Sequence, residues 1–130
     1  MFVLDTNTLI YFFKGMGNVG QKLLTTPPRS IIIPSIVIYE LEYGIARSTM
    51  PEKRRIQLDE ICQLCKVNDF THDTAKIAAK IRAILFAKGT PIGPHDILIA
   101  AFALEAQAPL VTRNTDEFSK INELVLENWF

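Results

Sequence analysis

Three short apolar runs constrain this chain more than any other feature. Val3-Leu4, Ile31-Ile32-Ile33 and Leu110-Val111-Thr112 are too short for helices, and the second is wholly β-branched. Between them lie stretches with helical spacing of apolar residues, from Asn7 to Lys14, Val19 to Thr25, Ile36 to Arg47, Glu52 to Lys66, Thr74 to Lys88 and Asp96 to Gln107. A further strand is expected near Val67 to Phe70, and another in the final ELVLENWF. Short strands alternating with helices predict a parallel sheet with helices on both faces, because parallel strands need crossover connections. Gly15 and Gly17 end the first helix, Pro27-Pro28 breaks the chain, and Gly89, Pro91, Gly93 and Pro94 make a loop. The 130 residues predict one α/β domain, 1–130, with no internal repeat.

In open parallel sheets ligands sit beyond the carboxyl ends of the strands, so acids at those ends are the first candidates for function. Asp5 directly follows Phe2-Val3-Leu4, where it either caps the next helix or serves a site. Glu40 interrupts the stripe Ile36, Val37, Leu41 and Gly44, and is either a rim residue, free or paired to Arg47, or part of a site. Asp96 stands in the first turn of a helix, Ile97-Leu98-Ile99-Ala100-Ala101-Phe102, that is too apolar to face water, and interaction with the helix dipole is its plain role. His95, its neighbour, is expected to point elsewhere and to be structural or exposed. VTRNTDEF brings Thr112, Asn114, Asp116 and Glu117 just after a strand, in what reads as a polar turn.

Each acid alone has a structural explanation, but a parallel sheet would bring all of them to one edge. Carboxylates about 4 Å apart repel by roughly 4 kcal/mol at an effective dielectric near 20. A cluster therefore needs protons or a cation. The donors are all oxygen, which suits Mg²⁺ or Mn²⁺ better than zinc and points to work on phosphates. Cys62 and Cys65 form a CxxC without a second Cys or His pair, and are expected to pack in the core.

Fourteen basic and fourteen acidic residues give zero formal net charge, so any attraction of nucleic acid must be local. Lys14, Arg47, Lys53, Arg54, Arg55 and Arg113 are the candidates. Arg113, beside the proposed site, is the best of them, and Lys53 to Arg55 reads as a solvated helix face. No apolar stretch approaches the roughly 20 residues of a bilayer span, and no basic region precedes an apolar one at Met1. The expected location is the cytoplasm.

LDTNTLIYF, SIVIYELEYGIARS, KGTPIGPHDILIAAFAL and LVTRNTDEF together resemble the PIN-domain ribonucleases, more narrowly VapC-type toxins of bacterial toxin-antitoxin pairs. The resemblance implies a PIN-like fold, a Mg²⁺ or Mn²⁺ acidic site, cleavage of RNA and inhibition by a VapB-like antitoxin. By position it implies that Asp5, Glu40 and Asp96 hold the metal, with Asp116 as the fourth catalytic acid. Asn114 stands where the family often has an acid, so Asp116 or Glu117 is left to contribute, with Asn114 acting through its amide oxygen or a water. Thr6, Asn7 and Thr112 are supporting donors or helix caps, and Arg113 and Arg47 the RNA contacts. A mean hydropathy of +0.17 adds to the family's implication of a homodimer. Two alternatives compete: a degenerate PIN module that binds RNA or a partner without cutting, and a haloacid-dehalogenase-like phosphatase. Asp5-Thr6-Asn7-Thr8 only distantly resembles the DxDxT loop of the latter, with Asn7 in place of its second acid.

Overall fold

The computed structural model describes all of residues 1–130. Its five strands are β1 (Phe2–Leu4), β2 (Ile31–Pro34), β3 (Lys66–Asn68), β4 (Leu110–Val111) and β5 (Leu126–Glu127). All pair in parallel, in the order β3-β2-β1-β4-β5. The helices are α1 (Thr6–Lys14), α2 (Val19–Leu24), α3 (Ser35–Ala46), α4 (Pro51–Leu64), α5 (His72–Ala87), α6 (Pro94–Ala106) and the single turn α7 (Thr115–Phe118). They cover both faces of the sheet, as the alternation of elements predicts.

The strand order places the site. The chain builds outward from β1 to β2 and β3, then crosses back to add β4 and β5 on the other side of β1. The reversal point of such a sheet is the crevice beyond the carboxyl ends of its central strands, here β1 and β4. The residues leaving those ends are Asp5 and Thr112, joined across the gap by the Asp5 N–H, which donates to the Val111 carbonyl at 3.2 Å.

The core explains why these elements pack as they do. Val3, Leu4, Ile31, Ile33, Leu110 and Val111 are wholly buried, as strands covered on both faces must be. α6 buries Ile97, Ile99, Ala100, Ala101, Phe102 and Ala103, and its alanines allow close approach to α5 and the sheet. It is apolar nearly all round because it lies inside the molecule. Cys65 is buried and Cys62 half-buried, and burial pushes both thiols up, which fits the expected packing role.

Several boundaries differ from those read in the sequence. The third strand is Lys66–Asn68, earlier than expected, because it pairs with Ile32 to Pro34 and that register sets its start. α5 begins at His72, two residues before its apolar repeat, because Thr71 and Thr74 form a capping box across its first turn. Pro28–Ser30 forms a short 3₁₀ turn where only a break was expected. ELVLENWF contributes two residues of strand, and the turn after β4 closes into α7.

Candidate active site

Asp5 is both helix cap and site residue. Its Oδ1 accepts the Thr8 N–H at 2.9 Å, satisfying a free donor at the start of α1. The side chain is only 5% exposed, and burial is the main influence pushing its carboxyl up. Donors on Thr112 and Thr8 pull against that rise, and the charge of Glu40 adds to it. Thr8 in turn donates its hydroxyl to the Val111 carbonyl at 3.1 Å, tying α1 to β4.

Glu40 comes from the middle of α3 and is held at both oxygens. The Thr6 hydroxyl donates to Oε1 at 2.6 Å, and His95 Nδ1 lies 3.4 Å from Oε2. Thr6 therefore does not cap α1; Asp5 has that role, which frees the Thr6 hydroxyl to reach across to α3. Arg47 does not pair with Glu40. Its guanidinium lies over the Tyr43 ring, 5.6 Å from the centroid.

Asp96 enters from the first turn of α6, half-buried. Its carboxyl is pushed up to about 6, first by burial, then by the charges of Asp5, Glu40 and Glu117, against a smaller opposing effect of His95. The cap of α1, the middle of α3 and the first turn of α6 thus bring their acids to one edge of the sheet, linked by Thr6 to Glu40 and by Glu40 to His95. No three acidic, histidine or cysteine side chains close to the spacing that chelates one ion. The donors these acids offer are all oxygen, which is the chemistry that fits a hard cation.

The segment after β4 divides its residues. Thr112 is wholly buried, and its hydroxyl accepts the Asn114 N–H at 3.0 Å. Asn114 and Asp116 are exposed, whereas Glu117 is half-buried. Glu117, unlike Asp116, is among the charges that raise Asp96, and Lys120 Nζ lies 3.5 Å from its Oε2. Asn7 is exposed and makes no side-chain hydrogen bond. Arg113 lies 3.6 Å from the centroid of the Phe130 ring and 5.7 Å from that of Tyr11.

His95 was expected to point away from the acids, because successive helical residues diverge by about 100°. It is exposed, as expected, but it lies against Glu40, since α3 packs against α6 and meets its first turn. The crossing of two helices distant in sequence leaves no mark in the local pattern. Pro94 at the start of α6 indicates only that His95 lies in a first turn.

A family model described as the PIN domain matches residues 2–124. The chain therefore belongs to the PIN domain family. Within that family it is similar to the VapC ribonucleases. It is 36% identical to ribonuclease VapC2 of Rickettsia felis over 99% of this chain and 98% of that one. It is 34% identical to the tRNA(fMet)-specific endonuclease VapC of Salmonella typhimurium, over 98% of this chain and 97% of the other. The crystal structure of DNA-bound VapBC from Salmonella typhimurium superposes with a TM-score of 0.92 at 34% identity, covering 99% of this chain and 98% of that one. VapBC2 from Rickettsia felis, bound to a DNA fragment from its promoter, superposes at 0.90 with 35% identity and the same coverage.

Proposed function

We propose that this chain is a Mg²⁺- or Mn²⁺-dependent endoribonuclease, the toxin of a toxin-antitoxin pair, that hydrolyses RNA phosphodiester bonds at Asp5, Glu40 and Asp96. The observation that carries the reading is the meeting of these carboxylates at one edge of the sheet: Thr6, next to Asp5, donates to Glu40, whose other oxygen faces His95, next to Asp96. The similarity to VapC ribonucleases over nearly the whole chain supports it.

Asp5 and Asp96 are the acids best placed to hold a cation, with Glu40 completing the set or orienting a water. Bound there, a divalent ion supplies the Lewis acidity that activates water and offsets charge on a scissile phosphate. The protein contributes rigidity: Asp5 is fixed by its cap, and Glu40 by Thr6 and His95. Hydrolysis adds water across one P–O bond, and the acids keep the water and the phosphate aligned. Glu117 is the better fourth acid, because its charge reaches Asp96. Asp116 and Asn114 then belong to the turn.

The solved relatives include VapBC assemblies, which support a VapB-like antitoxin as partner. A homodimer is supported by exposed apolar side chains, including Phe86 at 83% and Leu64 at 63%. No helix of the chain is long and apolar enough to cross a membrane.

The test is incubation of purified protein with Mn²⁺ and a mixed RNA pool that includes tRNA(fMet), with Asp5→Asn and Asp96→Asn in parallel. Cleavage by the parent and not by the variants is expected. Equal cleavage by all three would remove these acids from the reaction. RNA binding without cleavage by the parent would mark a degenerate module, and phosphate release from small esters would mark a phosphatase.

A further inference from the structure

α3 carries a line of flat side chains that begins at the acid cluster and runs outward. Tyr39 and Tyr43 stand one helical turn apart, 59% and 58% exposed. Arg47, one turn further on, lies over the Tyr43 ring and donates from Nη1 to the Tyr43 hydroxyl at 3.3 Å. At the other end, the His95 ring meets Tyr39 edge to face, with centroids 5.6 Å apart, while its Nδ1 reaches toward Glu40. The two half-exposed tyrosines form one row next to a site for phosphate chemistry, with Arg47 on one side of the Tyr43 ring.

A neighbouring face of α3 walls a cleft of about 430 Å³ against α1 and α4, with Glu40 among its lining residues. Gly44 leaves its floor open, because a Cβ there would meet nothing within 4 Å. Lys14, Arg47 and Arg54 also line it. None of the three forms an ion pair, whereas Arg55 on the same helix as Arg54 is paired with Glu42 and Asp59. In a chain of zero net charge, three unpaired cations thus line the cleft that Glu40 borders, a local positive patch beside an acid that would otherwise repel RNA.

We propose that the RNA flanking the scissile phosphate is held as a single strand along α3, its backbone in the cleft against Lys14, Arg47 and Arg54 and its bases on Tyr39 and Tyr43. This rests on the ribonuclease reading above and adds where the substrate lies and in what form. Cations alone would accept any polyanion. The aromatic row selects for unpaired bases, because a base in a duplex has no free face to stack. Arg47 belongs to both rows, bordering the cleft and covering Tyr43, and so joins the backbone path to the stacking path.

The experiment measures fluorescence anisotropy of a labelled single-stranded oligoribonucleotide and of a hairpin duplex of equal length. Both are bound to the Asp5→Asn protein, so that neither is consumed. Adding Tyr39→Ala or Tyr43→Ala should raise Kd for the single strand by about tenfold, with little change for the duplex, and Phe at either position should restore binding. Lys14→Gln and Arg54→Gln should each flatten the dependence of log Kd on log salt by about 0.7. Melting temperatures confirm that each variant is folded. Unchanged Kd and salt slope, or equal losses for both RNAs, would overturn the proposal. So would loss of self-association or antitoxin binding with RNA affinity intact, which would make this face a protein interface. A parent protein that binds RNA in this manner but never cuts it would remove the ribonuclease reading and leave the binding track standing.

Discussion

Thr6 Oγ1 donates to Glu40 Oε1 at 2.6 Å, a bond between the first turn of α1 and the middle of α3 across 34 positions of sequence. It fixes one oxygen of Glu40 and leaves the other facing His95. Thr6→Val keeps the shape and removes the donor. Cleavage should fall by about 10- to 100-fold, the usual effect of losing a group that orients a site carboxylate. RNA affinity should be unchanged, because Thr6 touches neither row on α3. Single-turnover rates and Kd measured together check this, and a rate equal to the parent's would show that Glu40 needs no such support.

Asp96 gives the metal-free protein a definite pH response. Its folded value of about 6 exceeds the ordinary 3.8, and Asp5 is shifted in the same direction. Between about pH 4 and 6 the folded state therefore holds protons that the unfolded chain has released. This stabilisation is complete below the unfolded value and is lost as pH rises through the folded one. In EDTA, the parent's Tm should decline from pH 5 to pH 7, and that decline should be shallower in Asp96→Asn. Mn²⁺ should raise Tm at pH 7 and less so at pH 5, where protons compete for the same oxygens. Parallel Tm profiles for the parent and the variant would contradict this.

Removing charge from the cluster should cost activity and not stability. Asp5→Asn preserves an acceptor for the Thr8 N–H, since asparagine caps helices about as well as aspartate. It also removes a buried charge that repels Glu40 and Asp96. Tm without metal should hold or rise while Mn²⁺-dependent cleavage disappears. A marked fall in Tm would mean that Asp5 is needed mainly for the fold.

Glu117 and Asp116 separate cleanly by substitution. Glu117→Gln should weaken Mn²⁺ binding and slow cleavage, because the Glu117 charge reaches Asp96. Asp116→Asn removes an exposed charge and should change little. Calorimetric Mn²⁺ titration with cleavage rates decides between them. A silent Glu117→Gln beside a damaging Asp116→Asn would reverse the assignment.

The chain's mean hydropathy of +0.17 and its exposed apolar side chains, Phe86, Leu64 and Leu24 among them, lead to the expectation of a homodimer. Light scattering at micromolar concentration should give twice the 14.7 kDa chain mass. A strict monomer would leave these residues to the antitoxin.

The sequence by itself determined the alternation of strands and helices, because two- to four-residue apolar runs and long 3.6-residue repeats are local patterns that burial imposes on each element separately. It also marked Asp5, Glu40 and Asp96, since an acid amid apolar neighbours stands out along the chain. Tertiary structure alone decided which oxygen each neighbour holds. His95 meets Glu40, Thr6 leaves the capping role to Asp5, and Glu117 rather than Asp116 acts on Asp96, because α1, α3, α6 and α7 converge at one edge of the sheet. The start of β3 likewise followed the register of β2, and Arg113 lies against Phe130 because the end of the chain folds back beside α1. Contacts between residues tens of positions apart depend on helix crossings and strand register, which periodicity along one segment does not encode.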